Sequence, residues 1–344
     1  MKIAVLTSGG DAPGMNAAVR AVARTAFFLG WEVTRVEAGY KGLLEGQILP
    51  MDRRRLGGIV QRGGTLLGTQ RSEEFQTPGG QERAIRRLEE AQVDALVVIG
   101  GEGSLTGALK LSELGVKVVG IPATIDNDVW GTEIAIGVDT ALNTTLETID
   151  RIRDTASSHN RAHIVEVMGR HCGYLALMSA IAGGAEAVLL PEFEPNPDDL
   201  LEFIRKAYEQ GKSHFVVVAA EGSTLSAAEF HEYVNSTQTY ESRLTVIGHA
   251  QRGGIPTAFD RILGSRMGTA AVEALSDDEH GTMVTLRGEL MGGAPAQRSA
   301  WQAAYTRRTD VQDGGRPLGA ARVRSKSRPR LPTHRNTTSG RAAR

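Results

Sequence analysis

Short apolar runs alternate with longer amphipathic stretches along most of this chain. Residues 2–7, 31–36, 95–99, 117–121, 164–167, 187–190, 214–219, 244–247 and 283–286 are brief, nearly uninterrupted apolar segments. Such runs mark strands buried on both faces, as in a parallel sheet. Between them, apolar residues recur at helical spacing over 15–29, 81–91, 139–159 and 257–275, and from 104 to 114. The 15–29 stretch stops at Gly30, a residue suited to the position after a helix. In 139–159, Leu142, Leu146, Ile149 and Ile152 share one face, and the far end is polar and basic. Strand–helix alternation to about residue 290 predicts an α/β fold. The expected form is two similar lobes, each a mostly parallel sheet flanked by helices, with a cleft between them. We expect 1–138 plus 251–305 to form the larger lobe, 139–250 the smaller one, and 306–344 a basic tail.

The candidate chemistry lies just past strand ends, where open α/β sheets bind ligands. Ser8-Gly9-Gly10-Asp11-Ala12-Pro13-Gly14 follows the first strand, and Gly100-Gly101-Glu102-Gly103-Ser104 follows 95–99. Glycines there free backbone N–H groups and a helix N-terminus to face an anion. The first loop does not fit G-x-G-x-x-G, so it gives no support to a dehydrogenase. The second adds Glu102, a carboxylate able to hold Mg²⁺. After 117–121 comes Pro122-Ala123-Thr124-Ile125-Asp126-Asn127-Asp128, with two carboxylates two residues apart. A hydroxyl attacking a γ-phosphate needs a proton acceptor, and a carboxylate within reach can serve. Gly248-His249-Ala250-Gln251-Arg252-Gly253-Gly254 offers a histidine and an arginine suited to a sugar phosphate. Singly, these features have ordinary explanations: a βα turn, a capped turn, a solvated surface arginine such as Arg71. Together they point to phosphoryl transfer. Residues 39–42 and 62–65 read as further loops.

Composition narrows this little. Glycine, 41 of 344 residues, is well above the usual ~7% and concentrates between strands and helices. The single Cys172 excludes an internal disulfide framework and fits a cytoplasmic protein. No stretch approaches the ~18 apolar residues of a membrane span. The net charge of −1 hides an asymmetry, since twelve basic and two acidic residues fall between Gln297 and Arg344. Outside that tail no basic stripe suggests nucleic-acid binding.

The motifs in this order resemble the 6-phosphofructokinase family, in its bacterial ATP-dependent form. The resemblance covers about residues 1–290. It rests on Leu6-Thr7-Ser8-Gly9-Gly10-Asp11-Ala12-Pro13-Gly14-Met15-Asn16, Thr124-Ile125-Asp126-Asn127-Asp128, Val165-Glu166-Val167-Met168-Gly169-Arg170 and the 248–254 loop. It implies that Asp126 is the base for the 1-hydroxyl of fructose 6-phosphate, with Thr124 and Ile125 beside it. Gly9, Tyr40, Arg71, Ser72, Gly101, Glu102, Gly103 and Ser104 would hold ATP. Arg71 and Arg170 would stabilise charge on the transferring group. Met168, Gly169, Arg170, Glu221, His249 and Arg252 would bind the sugar phosphate. Arg161 and Arg243 would reach a neighbouring subunit's site, so a homotetramer is implied. Glu102 and Asp128 would hold Mg²⁺, with Glu102 standing where the family usually has Asp. Arg20, Arg24, Arg53, Arg153, Gly184, Glu186 and Lys212 match an effector site for ADP and phosphoenolpyruvate; Gln210 and Ser213 stand where lysines are common.

Pyrophosphate-using relatives tend to place Asp and Lys where this chain has Gly103 and Ala123, so the resemblance favours ATP. The alternatives are a pyrophosphate-dependent enzyme and a non-catalytic effector-binding paralogue. The family pattern ends near Gly293, where Arg, Pro, Ser and Gly take over, and we expect disorder from about residue 310.

Overall fold

The computed structural model describes residues 1–159, 161–212, 214–237, 241–288 and 290–295. The expected tail, 306–344, lies outside them. Two sheets organise the chain. The first has seven strands: β1 (Lys2–Ser8), β2 (Glu32–Val36), β3 (Ile48–Pro50), β4 (Ala95–Gly100), β5 (Lys117–Pro122), β10 (Thr282–Arg287) and β11 (Leu290–Pro295). Their order is β11-β10-β5-β4-β1-β2-β3. The second has four: β6 (Ala162–Val167), β7 (Ala187–Leu189), β8 (Phe215–Ala220) and β9 (Ser242–Val246), in the order β7-β8-β6-β9.

The continuous apolar runs explain the central strands. β1, β4, β5 and β8 are buried over all or nearly all their length. Alternate residues then serve opposite faces of the first sheet. Ile3, Val5, Val97, Ile99, Val119 and Ile121 pack in one core with helices α1 (Met15–Phe28) and α9 (Ala258–Ser276). Ala4, Leu6, Leu96, Val98 and Val118 face the other, under α2 (Gly39–Glu45), α3 (Pro78–Glu90) and α4 (Glu102–Glu113). The second sheet is covered likewise. Helices α5 (Val138–His159) and α6 (Tyr174–Gly183) pack on one face, α7 (Pro197–Glu209) and α8 (Ala227–Ser236) on the other. No helix among the described residues is long and apolar enough to cross a membrane.

α9 returns the chain to the first sheet by lying close against α1. A Cβ at Gly264 or Gly268 would stand 2.9 Å and 2.6 Å from the carbonyls of Gly14 and Ala18. Only glycine allows that approach.

Three features differ from the sequence reading. Residues 39–42 open helix α2 rather than forming a loop, entered through Ala38 at φ 58° and held by buried Tyr40, Leu43 and Leu44. The first sheet is mostly parallel, as expected, but carries two strands not read from the sequence, β3 and β11, which run antiparallel at its two edges. β3 is too short to register as a strand, and β11 is interrupted by Gly292 and Gly293. Residues 248–252 wind into a short 3₁₀ turn within what read as a loop.

Strand order fixes where a ligand can sit. In the first sheet β1 has β2 on one side and β4 on the other, so the chain reverses direction across the sheet at β1. In the second, β6 lies between β8 and β9 in the same way. Crevices open at such points beyond the carboxyl ends of strands.

Candidate active site

Six strand ends meet in the site. From the first sheet come the loops after β1, β4 and β5; from the second, those after β6, β8 and β9. Asp126, half-buried on the loop after β5, marks the centre. Burial raises its carboxyl pKa above the ordinary range. Arg252 pulls it back down, Glu221 pushes it up, and His171 and Arg170 lower it. All four groups belong to the second sheet's loops, which places Arg170, Glu221 and Arg252 around Asp126. The Asp126 amide donates to Thr124 Oγ1 at 3.2 Å, and Ile125 is buried behind it.

The glycine loops close in from the first sheet. Ser104 Oγ lies 2.9 Å from where a Gly9 Cβ would be, and Thr124 Cβ lies 3.3 Å from the same point on Gly101. The loops after β1, β4 and β5 thus form one wall. Gly10 faces Arg252 directly: a Cβ there would stand 1.7 Å from Nη1. Ser72 accepts a hydrogen bond from the Phe75 amide at 3.2 Å, while Arg71 is exposed. Tyr40 differs from what a ligand-facing residue would show. It is 5% exposed, stacked on Phe75 with ring centroids 3.9 Å apart, and its hydroxyl donates to Ser104 O at 2.6 Å. Burial drives its pKa far upward. Its evident work is to support the first turn of α4.

On the other wall Met168 and Gly169 are buried and Arg170, Glu221 and His249 exposed. Gln251, missed among the candidates, is fully buried. Its Oε1 accepts from the Met168 amide and its Nε2 donates to Thr145 Oγ1, both at 2.7 Å. It ties the loops after β6 and β9 to α5. The signal was available in the 248–254 motif, but its partners lie 83 and 106 residues away. Asp260, also missed, is fully buried and accepts from Gly137 N and Thr140 N at 2.8 Å and from Thr140 Oγ1 at 2.6 Å. It fastens the start of α5 to α9.

Other predicted residues sit elsewhere. Arg161 and Arg243 both pair with Glu241, at the beginnings of β6 and β9. Arg153, Gly184, Glu186 and Lys212 gather at one end of the second sheet. Arg153 donates to Gly183 O beside Gly184, and Glu186 pairs with Lys212 while accepting from Val216 N at 2.6 Å. Arg20 and Arg24 lie on α1 and Arg53 follows β3, with its guanidinium over the Phe27 ring. The seven candidates therefore divide between the two sheets.

Glu102 opens α4 and Asp128 follows the Asp126 turn, on loops brought together by the Gly101–Thr124 approach. Both offer hard oxygen donors. No group of three His, Cys, Asp or Glu among the described residues could hold a metal by itself. That donor set fits Mg²⁺, which takes one or two carboxylates and completes its shell with phosphates and water.

The chain matches the phosphofructokinase family over residues 2–275. This chain belongs to the phosphofructokinase family. The ATP-dependent 6-phosphofructokinase of Natranaerobius thermophilus is 49% identical over 286 residues, covering 83% of this chain and 89% of its own length. That of Thermotoga neapolitana is 51% identical over 295 residues, 86% and 92% of the two chains. Among solved structures, Pichia pastoris phosphofructokinase in the T-state superposes with a TM-score of 0.85 at 36% identity over 90% of this chain. This chain spans 36% of the Pichia pastoris chain.

Proposed function

We propose that this phosphofructokinase transfers the γ-phosphoryl group of ATP to the 1-hydroxyl of fructose 6-phosphate, giving ADP and fructose 1,6-bisphosphate. The observation that carries the reading is the convergence on Asp126 of Arg252, Glu221, His171 and Arg170 from the opposite sheet. A carboxylate with a pKa raised by burial is a better proton acceptor than an ordinary one. In this assignment Asp126 takes the 1-hydroxyl proton as the oxygen attacks. Arg170 and Arg71 carry the charge of the transferring group, and Arg252, His249, Glu221 and Met168–Arg170 hold the sugar phosphate. Gly9, Ser72 and the 101–104 turn receive the nucleotide, with Tyr40 acting from beneath. Glu102 and Asp128 would hold Mg²⁺, which when bound neutralises phosphate charge. The homotetramer, a regulatory site for ADP and phosphoenolpyruvate, and a cytoplasmic location belong to the same proposal.

Donor choice is testable at one position. A Cβ at Gly103 meets nothing within 4 Å, so a side chain there projects into open space. Ala123, by contrast, is fully buried, and a lysine could not enter without displacing its neighbours. Gly103→Asp is therefore the usable probe, and it should depress turnover with ATP by like-charge repulsion while leaving the fold intact.

The deciding measurement is ADP formation with fructose 6-phosphate, ATP and Mg²⁺, run beside product formation from pyrophosphate. Turnover with ATP that vanishes in Asp126→Asn supports the assignment. A folded protein idle with both donors would refute it.

A further inference from the structure

Asn127 stands between the two carboxylates of the central loop, and no catalytic or binding role in the proposed reaction accounts for it. Its backbone is left-handed, at φ 51°. Asparagine tolerates that region better than most residues, but a non-glycine residue there is uncommon and is kept where surrounding bonds enforce it. Asn127 is also 1% exposed. Its Nδ2 donates to Glu133 O at 3.1 Å and its Oδ1 accepts from Ala135 N at 2.9 Å. The amide thus closes the 127–135 excursion much as a backbone pair would. Below it, Thr124 N donates to Ile136 O and Ile136 N to Pro122 O, which locks the base of the excursion to β5.

The far side of the excursion is braced by the last hairpin of the first sheet. Glu133 N donates to Leu286 O at 3.0 Å. Leu286 N donates to Thr132 Oγ1 at 3.1 Å, which donates in turn to Ile134 O at 3.0 Å. Gly288 N donates to Glu133 Oε2 at 2.9 Å. A chain of bonds therefore runs from the β10–β11 turn through 132–135 to Asn127, and so to the turn that carries Asp126 and Asp128.

We propose that Asn127 is a positioning residue: its amide, braced by the β10–β11 hairpin, holds the turn that aims Asp126 and Asp128 into the site. This rests on the phosphotransferase reading. The sugar phosphate is gripped by the second sheet, so loosening this turn leaves substrate binding in place and disturbs the alignment of the base. Misplacement by ~1 Å can cost about 10²-fold in rate.

The test compares Asn127→Ala, which loses both amide bonds at a strained φ, with Asn127→Gly, which loses the bonds but accepts the φ. Thr132→Val removes the hydroxyl on the Leu286 side without touching the carboxylate triplet. We expect kcat to fall about 10²-fold in Asn127→Ala, about 10-fold or more in Asn127→Gly, and ~3- to 10-fold in Thr132→Val. KM for fructose 6-phosphate should stay within about threefold, as should the calorimetric affinity for fructose 6-phosphate measured without turnover. If Asn127→Ala fails to fold, Asn127→Gly and Thr132→Val decide. The proposal is overturned if folded Asn127→Gly keeps kcat within twofold, or if KM rises in step with the loss of kcat. A wild-type chain that binds no fructose 6-phosphate and turns over none would defeat the reading itself, and the inference with it.

Discussion

Gly10→Ala should separate folding from function in this enzyme. Gly10 does not occupy the left-handed region, so alanine meets no backbone strain. What it meets is Arg252: the new methyl would stand 1.7 Å from Nη1, 2.9 Å from Cζ and 3.3 Å from Nη2. The guanidinium must move, and as the end of a flexible side chain it can. The folded state should lose under ~1 kcal/mol. Two functional effects follow. In its proposed role Arg252 is a charged hydrogen-bond donor to the sugar phosphate, and displacing it should remove about 1.5–3 kcal/mol of binding. At ~1.4 kcal/mol per decade, KM for fructose 6-phosphate should rise about 10- to 150-fold. Arg252 is also the strongest of the charges that lower the Asp126 pKa. With it displaced, that pKa climbs further, and the base is ionised only at higher pH. The acid limb of the kcat/KM profile should therefore move to higher pH, with the deficit greatest in acid and partly recovered in alkali. Initial rates across pH, with saturating Mg-ATP and varied fructose 6-phosphate, read both effects; thermal melts check the fold. A variant with normal melting, unchanged KM and an unmoved acid limb would refute the placement of Arg252 over Gly10 and its proposed role.

Three further expectations come from buried polar groups. Asp126→Asn should cut kcat about 10²- to 10⁴-fold in the same assay while raising the melting temperature at pH 7. The sign follows because burial raises the folded pKa, so the folded state holds more protons and stability falls as pH rises from the ordinary carboxylate range through that folded value. The stabilisation should shrink below that window. Gln251→Met, similar in length but unable to bond Met168 N or Thr145 Oγ1, should raise KM for fructose 6-phosphate about 10-fold with KM for ATP unchanged; equal rises in both would contradict the role assigned to it. Asp260→Ala strands two buried amide N–H groups and a hydroxyl. Urea unfolding should show a loss of about 3–5 kcal/mol, and a loss under ~1 kcal/mol would mean that α5 is held by other means.

The parts of this structure legible in the sequence are those with a local signal. β1, β4, β5 and β8 announce themselves as apolar runs, and the glycine loops after β1 and β4 by composition. Asp126 stands out because a second carboxylate lies two residues on, after a buried strand. Other features carry no local signal. β3, three residues long, exists because Thr34, Arg35 and Val36 offer it an edge. β11 pairs antiparallel with β10 although it contains Gly292 and Gly293. Tyr40 reads as a loop residue near a nucleotide and proves to be packed on Phe75, 35 positions away in the chain. Gln251 and Asp260 are ordinary polar residues until α5 is folded against them. Asn127 was visible only as the middle of a triplet; its partners, six and eight residues away, depend on an excursion with no periodic pattern.

The distribution of charge around Asp126 suggests why the site needs two sheets. The proposed base sits on the first sheet, where burial alone favours its protonated, inactive form. Every group that adjusts its pKa comes from the second: Arg170 and His171 after β6, Glu221 after β8, Arg252 after β9. Three of the four are cationic or can become so, and Arg252 outweighs Glu221. The balance of burial and charge at the base thus depends on the two sheets keeping their spacing. Asp260 bears on that spacing by pinning Gly137 and Thr140, at the start of α5, to α9 of the first sheet, while Gln251 holds the loops after β6 and β9 to Thr145 of α5 within the second. Any change that parts the sheets removes that net positive potential from Asp126 and at the same time lets water relieve the burial that raises its pKa, so the base loses its tuned surroundings even with every proposed catalytic residue in place. Proton-acceptor strength in this fold is therefore a property of how the lobes are joined, as much as of the carboxylate itself.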